Sequence, residues 1–169
     1  MAGASIRFDL DDLKVISDLD QIAAAGEDMF PLMDAIGRVL VNGAVERITS
    51  TNVDPNGVPW PQSFRAEVFG GPTLHASGNL ARSITSAPEA REVTVGSNLI
   101  YAGVHQEGAV IRAKTAGGLS FMLADGEEVV VSEVWIPMRP YLGISEGEQA
   151  DIADLTVAWF SGRLGGGLH

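Results

Sequence analysis

The chain of 169 residues contains no cysteine. That removes disulfides, thiolate nucleophiles and cysteine metal sites, and it fits a protein made in a reducing cytoplasm. Positive charge is also scarce, with 11 Lys and Arg against 22 Asp and Glu, a formal net charge of −11. Lys14 and Lys114 are the only lysines and the arginines stand singly, so no basic stripe exists to grip a phosphate backbone or an anionic membrane. No window approaches the roughly 20 apolar residues of a membrane span, and Met1 to Asp12 lacks a basic region followed by an apolar run. Neither sequence-specific nucleic-acid binding nor a membrane partner is therefore expected.

What is present is core material. Apolar residues make up 46% of the chain, enough for one domain spanning 1–169. Residues 1–26 form an acidic N-terminal arm with Asp11, Asp12, Asp18 and Asp20, read as a strand around Ile6 to Leu10 followed by a short helix. From Glu27 to about Ser50, Phe30, Met33, Ile36, Leu40, Ala44 and Ile48 recur at the spacing of one amphipathic helix, with Asp28 as N-cap and Pro31 in the first turn. About 24 residues of helix span roughly 36 Å.

Thr51 to Gly78 is dense in turn formers, including Asp54-Pro55-Asn56-Gly57 and Gly70-Gly71-Pro72, and reads as a long loop. Trp60 and Phe64 within it either fold back on the core or anchor a partner. Ser77 reads as the cap of a short helical turn. Ser83–Ala87 and Glu92–Ser97 follow as an antiparallel pair with Val93 and Val95 on one face. Ala109 to Gly118 reads as a second loop, and Leu119 to Ile136 as a hairpin about Asp125-Gly126. A capping box of Ser145 and Glu148 opens a last helix to about Ser161, with Ile152, Leu155, Ala158 and Trp159 on one face. Residues 162–169 make a flexible tail.

Two stretches organise the rest, Tyr101-Ala102-Gly103-Val104-His105-Gln106-Glu107-Gly108 and Ile136-Pro137-Met138-Arg139-Pro140-Tyr141-Leu142-Gly143. The first ends on a glycine suited to φ > 0, and the second holds a guanidinium between two fixed φ angles. Together they predict a rigid edge presenting His105, Gln106, Arg139 and Tyr141, better suited to docking than to chemistry. Trp60, Tyr101, His105, Gln106, Arg112, Arg139 and Tyr141 are the candidate assembly-interface residues. No catalytic, cofactor or metal residues are proposed. His75, His105 and His169 form no HxxxH or HxH pairing, and neither Ser77 nor Ser120 has a Gly-x-Ser-x-Gly setting. The competing enzyme reading is a small hydrolase centred on His105, which requires a nucleophile within hydrogen-bond reach.

These stretches, with Asp54 to Trp60, Leu74 to Ile84 and Val95-Gly96-Ser97, resemble the phage virion morphogenesis family, the tail-completion proteins of Mu-like tailed phages. The resemblance covers Phe30 to Phe160. It implies an α+β domain, a long N-terminal helix packed on a small antiparallel sheet with long loops and a C-terminal helix. It also implies a ring of like subunits, hexameric by family analogy, at the head-proximal end of the tail, with tail-tube and head-connector proteins as partners. The job implied is completing the tail and joining the head, in a virion assembled in the bacterial host cytoplasm; a head-side neck or connector protein is the alternative within the structural class. DNA passing through such a ring would meet acidic walls that do not grip it.

Overall fold

The structure is a computed structural model describing residues 3–9, 28–123 and 126–165. The short helix expected after the first strand, Asp125 of the hairpin turn and the end of the tail lie outside these residues. The fold is α+β. Strand β1 (Ala4–Asp9) precedes helix α1 (Phe30–Glu46), which runs on as a wider π turn over Arg47–Thr51. Two short helices follow, α2 (Phe64–Phe69) and α3 (Asn79–Ser83), then strands β2 (Thr85–Pro88) and β3 (Glu92–Ser97). Helix α4 (Ala102–Glu107) leads into strands β4 (Ala109–Arg112), β5 (Leu119–Met122), β6 (Glu128–Val131) and β7 (Glu133–Ile136), and helix α5 (Glu146–Gly165) closes the chain.

The core forms where the apolar stripe of α1 meets the sheet β1-β3-β2 on one side and α5 on the other. Met33, Ile36, Leu40, Ala44 and Ile48 are buried as the helical period requires. Phe30 departs from the stripe and is 46% exposed, its expected place being filled by Met29 and Leu32. Asp28 accepts the Phe30 N–H (3.0 Å) from one residue before the cap position. Val93 and Val95 are fully buried on the α1 side of β3, and β2 pairs with β3 in antiparallel register from Thr85↔Gly96 to Pro88↔Val93. The buried ridge of α5 is Ile152, Thr156 and Phe160, a strict i, i+4 row. Leu155 and Trp159 are half-buried beside it, and Ala158, expected in that face, is exposed.

Four expectations for this part of the chain are corrected. Thr51 to Gly78 contains α2, capped where Ser63 Oγ accepts the Ala66 N–H (3.2 Å), and the loop is tied to the body through Asn52. Asn52 takes the left-handed conformation (φ 54°) that ends the helix, accepts the Thr73 N–H on its side chain (2.7 Å), and accepts the Trp60 N–H on its carbonyl (2.9 Å). The stretch Tyr101 to Gly108, read as part of a rigid edge, is built around helix α4 (Ala102–Glu107). Ala109–Arg112 is a strand, and the Leu119–Ile136 hairpin splits, β5 pairing with β6 while β7 runs on beyond β6 to pair with β4. The Ala113 N–H to Ser132 carbonyl bond (2.8 Å) continues the ladder between the two pairs. The result is one long two-stranded ribbon, interrupted on one side by the loop Ala113–Gly118.

Candidate assembly surface

The two stretches singled out in the sequence do meet, and they meet inward. Gln106 reaches from α4 to the second stretch, its Oε1 accepting the Tyr141 and Leu142 N–H groups (3.1 and 3.0 Å) while its Nε2 donates to the Leu142 carbonyl (3.0 Å). The Arg139 N–H donates to the His105 carbonyl (2.7 Å), and the Tyr141 hydroxyl donates to the Ala102 carbonyl (3.1 Å). Trp60 folds back and donates its indole N–H to the Pro140 carbonyl (3.2 Å). Arg139 sends its guanidinium to the Pro61 and Gln62 carbonyls (2.7 and 3.2 Å). Gln106, Trp60, Arg139 and Tyr141 thus direct their hydrogen bonds to backbone groups within the chain.

The edge expected to present these side chains is corrected accordingly: Tyr141 is fully buried, and Trp60 and Arg139 are each 6% exposed. Burial pushes the Tyr141 phenol up to about 12, so it stays a neutral donor. His105 lies half-buried with Tyr101 edge-on to its ring (centroids 6.1 Å) and with Nδ1 lacking a hydrogen-bond partner. Burial first, and the nearby Arg139 charge second, hold its imidazole below the ordinary histidine pKa. A general base needs a nucleophile in reach, and Nδ1 of this ring has none among the described residues. Of the seven candidates, Tyr101 and Arg112 are exposed, Arg112 in an ion pair with Glu133 (3.1 Å).

The exposed surface begins where the clasp ends. Gly108 (φ 75°) turns the chain out of α4 at a point where a Cβ would meet the Met138 nitrogen and the Ile136 carbonyl at 2.9 and 3.0 Å. From there the ribbon leaves the body: no described residue between Gly103 and Pro140 belongs to the buried apolar core. Register places Val110 opposite Trp135 on one face of β4–β7, and Ile111 opposite Val134 on the other. Trp135 and Met122 are each 72% exposed, and Val110, Ile111, Phe121, Val130 and Met138 are exposed as well. A two-stranded ribbon has no second layer to cover both faces, so apolar residues on consecutive positions, as in Val134-Trp135-Ile136, must stay in water or meet another protein. That pattern was the signal in the sequence, and the strand assignments hid it.

A second feature lies across the body. The buried Arg47 at the start of the π turn pairs with Glu148 Oε2 and donates to the Tyr141 carbonyl (3.1 Å), joining α1, α5 and the clasp. Glu148 also closes the expected capping box, its Oε2 accepting the Ser145 N–H (2.6 Å) while Ser145 Oγ accepts the Glu148 N–H (3.2 Å). Among the described residues no group of His, Asp and Glu is arranged to hold a metal, and no helix is long and apolar enough to cross a membrane.

The molecule is thus an α+β body with a ribbon that carries exposed apolar side chains. The chain belongs to the phage virion morphogenesis family, whose family model matches residues 10–161. It is 30% identical over 142 residues to the Mu-like prophage FluMu G protein 2 of Haemophilus influenzae, a match covering 83% of this chain and 85% of that protein. No solved structure matches it. Family and relative together give the chain a role in phage structure or morphogenesis.

Proposed function

We propose that the protein completes the head-proximal end of a phage tail and mediates head–tail joining as a ring of like subunits, six in number by family analogy. The ribbon from Ala109 to Ile136 carries this reading, because its exposed apolar faces have no partner within the described subunit. Membership of a virion morphogenesis family supports it, and tail tube and head connector are the partners that such a role requires.

The test is native mass over a range of protein concentrations, in solution and on purified tail tubes, for the wild type and for Trp135→Ser. The wild type is expected as a closed ring. The variant, which changes a side chain already in water, is expected to keep its unfolding midpoint and lose the ring. A wild type that stays monomeric in both settings overturns the proposal.

A further inference from the structure

A cleft of about 470 Å³ opens between the C-terminal half of α1, the turn around Asp54 and the first turns of α5. Its lining carries four carboxylates, Glu46, Asp54, Glu148 and Asp151, against the single guanidinium of Arg47, a formal balance of one minus four, or −3. Asp54 is already committed, its Oδ1 accepting the Asn56 and Val58 N–H groups (2.8 Å each). Glu46 and Asp151 are exposed at the rim and make no ion pair among the described residues. Within the lining Glu148 is only 7% exposed, and although Oε2 is taken by Arg47 and the Ser145 N–H, Oε1 has no donor at all. Oε1 sits in the space left by Gly43, where a Cβ would collide with it. Oε1 is shut off from solvent and Glu148 is paired with Arg47, so the demand for positive charge from outside comes from the two unpaired rim acids, Glu46 and Asp151, in a lining of net −3.

The matching charge is on the ribbon. Ala109–Gly118 carries Arg112 and Lys114 and no acid, in a chain whose overall charge is −11. Lys114 is exposed in the loop that interrupts the ribbon and makes no ion pair among the described residues. We infer that the acidic cleft receives Lys114 from the ribbon of a second copy of this chain, Arg112 lying beside it. The inference rests on the ring reading above and names its contact. Cleft and ribbon are different patches of one surface, so the contact is heterologous, the kind that closes into a ring when the rotation between subunits permits. The apolar flanks of the ribbon supply buried area, and the lysine in the acidic cleft sets the register.

Two single charge reversals at exposed positions, Lys114→Glu and Asp151→Lys, test it, with thermal melts to confirm that each variant folds. Association is read by native mass spectrometry and light scattering, in solution and on tail tubes. Each variant alone is expected to associate about tenfold more weakly than the wild type, because Lys114→Glu brings an acid to an acidic cleft, while Asp151→Lys cuts the cleft's balance from −3 to −1 and sets a cation against Lys114. An equimolar mixture is expected to recover association, since the acid introduced by Lys114→Glu meets the cation introduced by Asp151→Lys, and the native ribbon meets the native cleft. Wild-type association is expected to weaken as salt rises. Rings that persist in Lys114→Glu, or a mixture no better than its components, overturn this contact and leave the ring reading standing. A wild type monomeric in both settings overturns both.

Discussion

The clasp and the ribbon are adjacent in sequence and opposite in physics. In the clasp, Gln106, Arg139, Tyr141 and Trp60 direct their hydrogen bonds inward onto backbone carbonyls and N–H groups, and Trp60, Arg139 and Tyr141 are buried. In the ribbon, which starts directly after Gly108, the backbone pairs with itself while the large side chains stay in water. Conspicuous residues flanked by prolines and glycines thus mark where a chain is fastened, and a plainer alternation of valines and one tryptophan marks where it is open. The clasp holds the base of the ribbon, so a fixed body gives a defined starting point to a segment that has no core of its own.

The largest effect that would sharpen this contrast is expected at Arg47. Arg47→Ala leaves Glu148 buried without its countercharge and should lower stability by about 3–5 kcal/mol in urea unfolding, whereas Trp135→Ser should fall within about 0.5 kcal/mol of the wild type. Similar losses from the two variants would erase the distinction between body and ribbon. A smaller loss, about 1.5–3 kcal/mol, is expected for Arg139→Ala, which removes charged hydrogen bonds to the Pro61 and Gln62 carbonyls. An Arg139→Ala protein with unchanged stability and impaired assembly would return Arg139 to the surface role that its flanking prolines suggest.

The smallest effect is a pH dependence at His105. Its folded-state pKa lies below the ordinary 6.5, so the unfolded chain takes up the proton first. The contribution of the neutral imidazole is fully present above about 6.5 and declines as pH falls below it. The unfolding midpoint of the wild type should therefore drop more steeply on acidification below that pH than that of His105→Gln. Parallel slopes would mean that the imidazole is not held neutral by its surroundings.

Much of the body was legible because its signals are local. The α1 stripe, the pairing of β2 with β3, the Ser145 and Glu148 capping box and the positive φ of Gly108 each follow from spacing or from one residue's conformational freedom. The rest depends on distant partners. Nothing near Arg139 announces that Pro61 and Gln62 will present their carbonyls to it, and a guanidinium between prolines reads the same whether it faces water or a loop. The cleft brings together Glu46, Asp54 and Asp151 from three separate segments, which no spacing along the chain could show. Gly43 within α1 makes room for the carboxylate of Glu148, a contact that nothing near it in the sequence announces.

The ribbon has one more consequence. Its outer strand edges are unpaired, and such edges invite indiscriminate growth by addition of further strands. Glu128, exposed on β6, meets its own counterpart as a like charge whenever two ribbons align in parallel register. Newly made subunits are therefore guarded against stacking into fibres by the same ribbon that carries their adhesive surface.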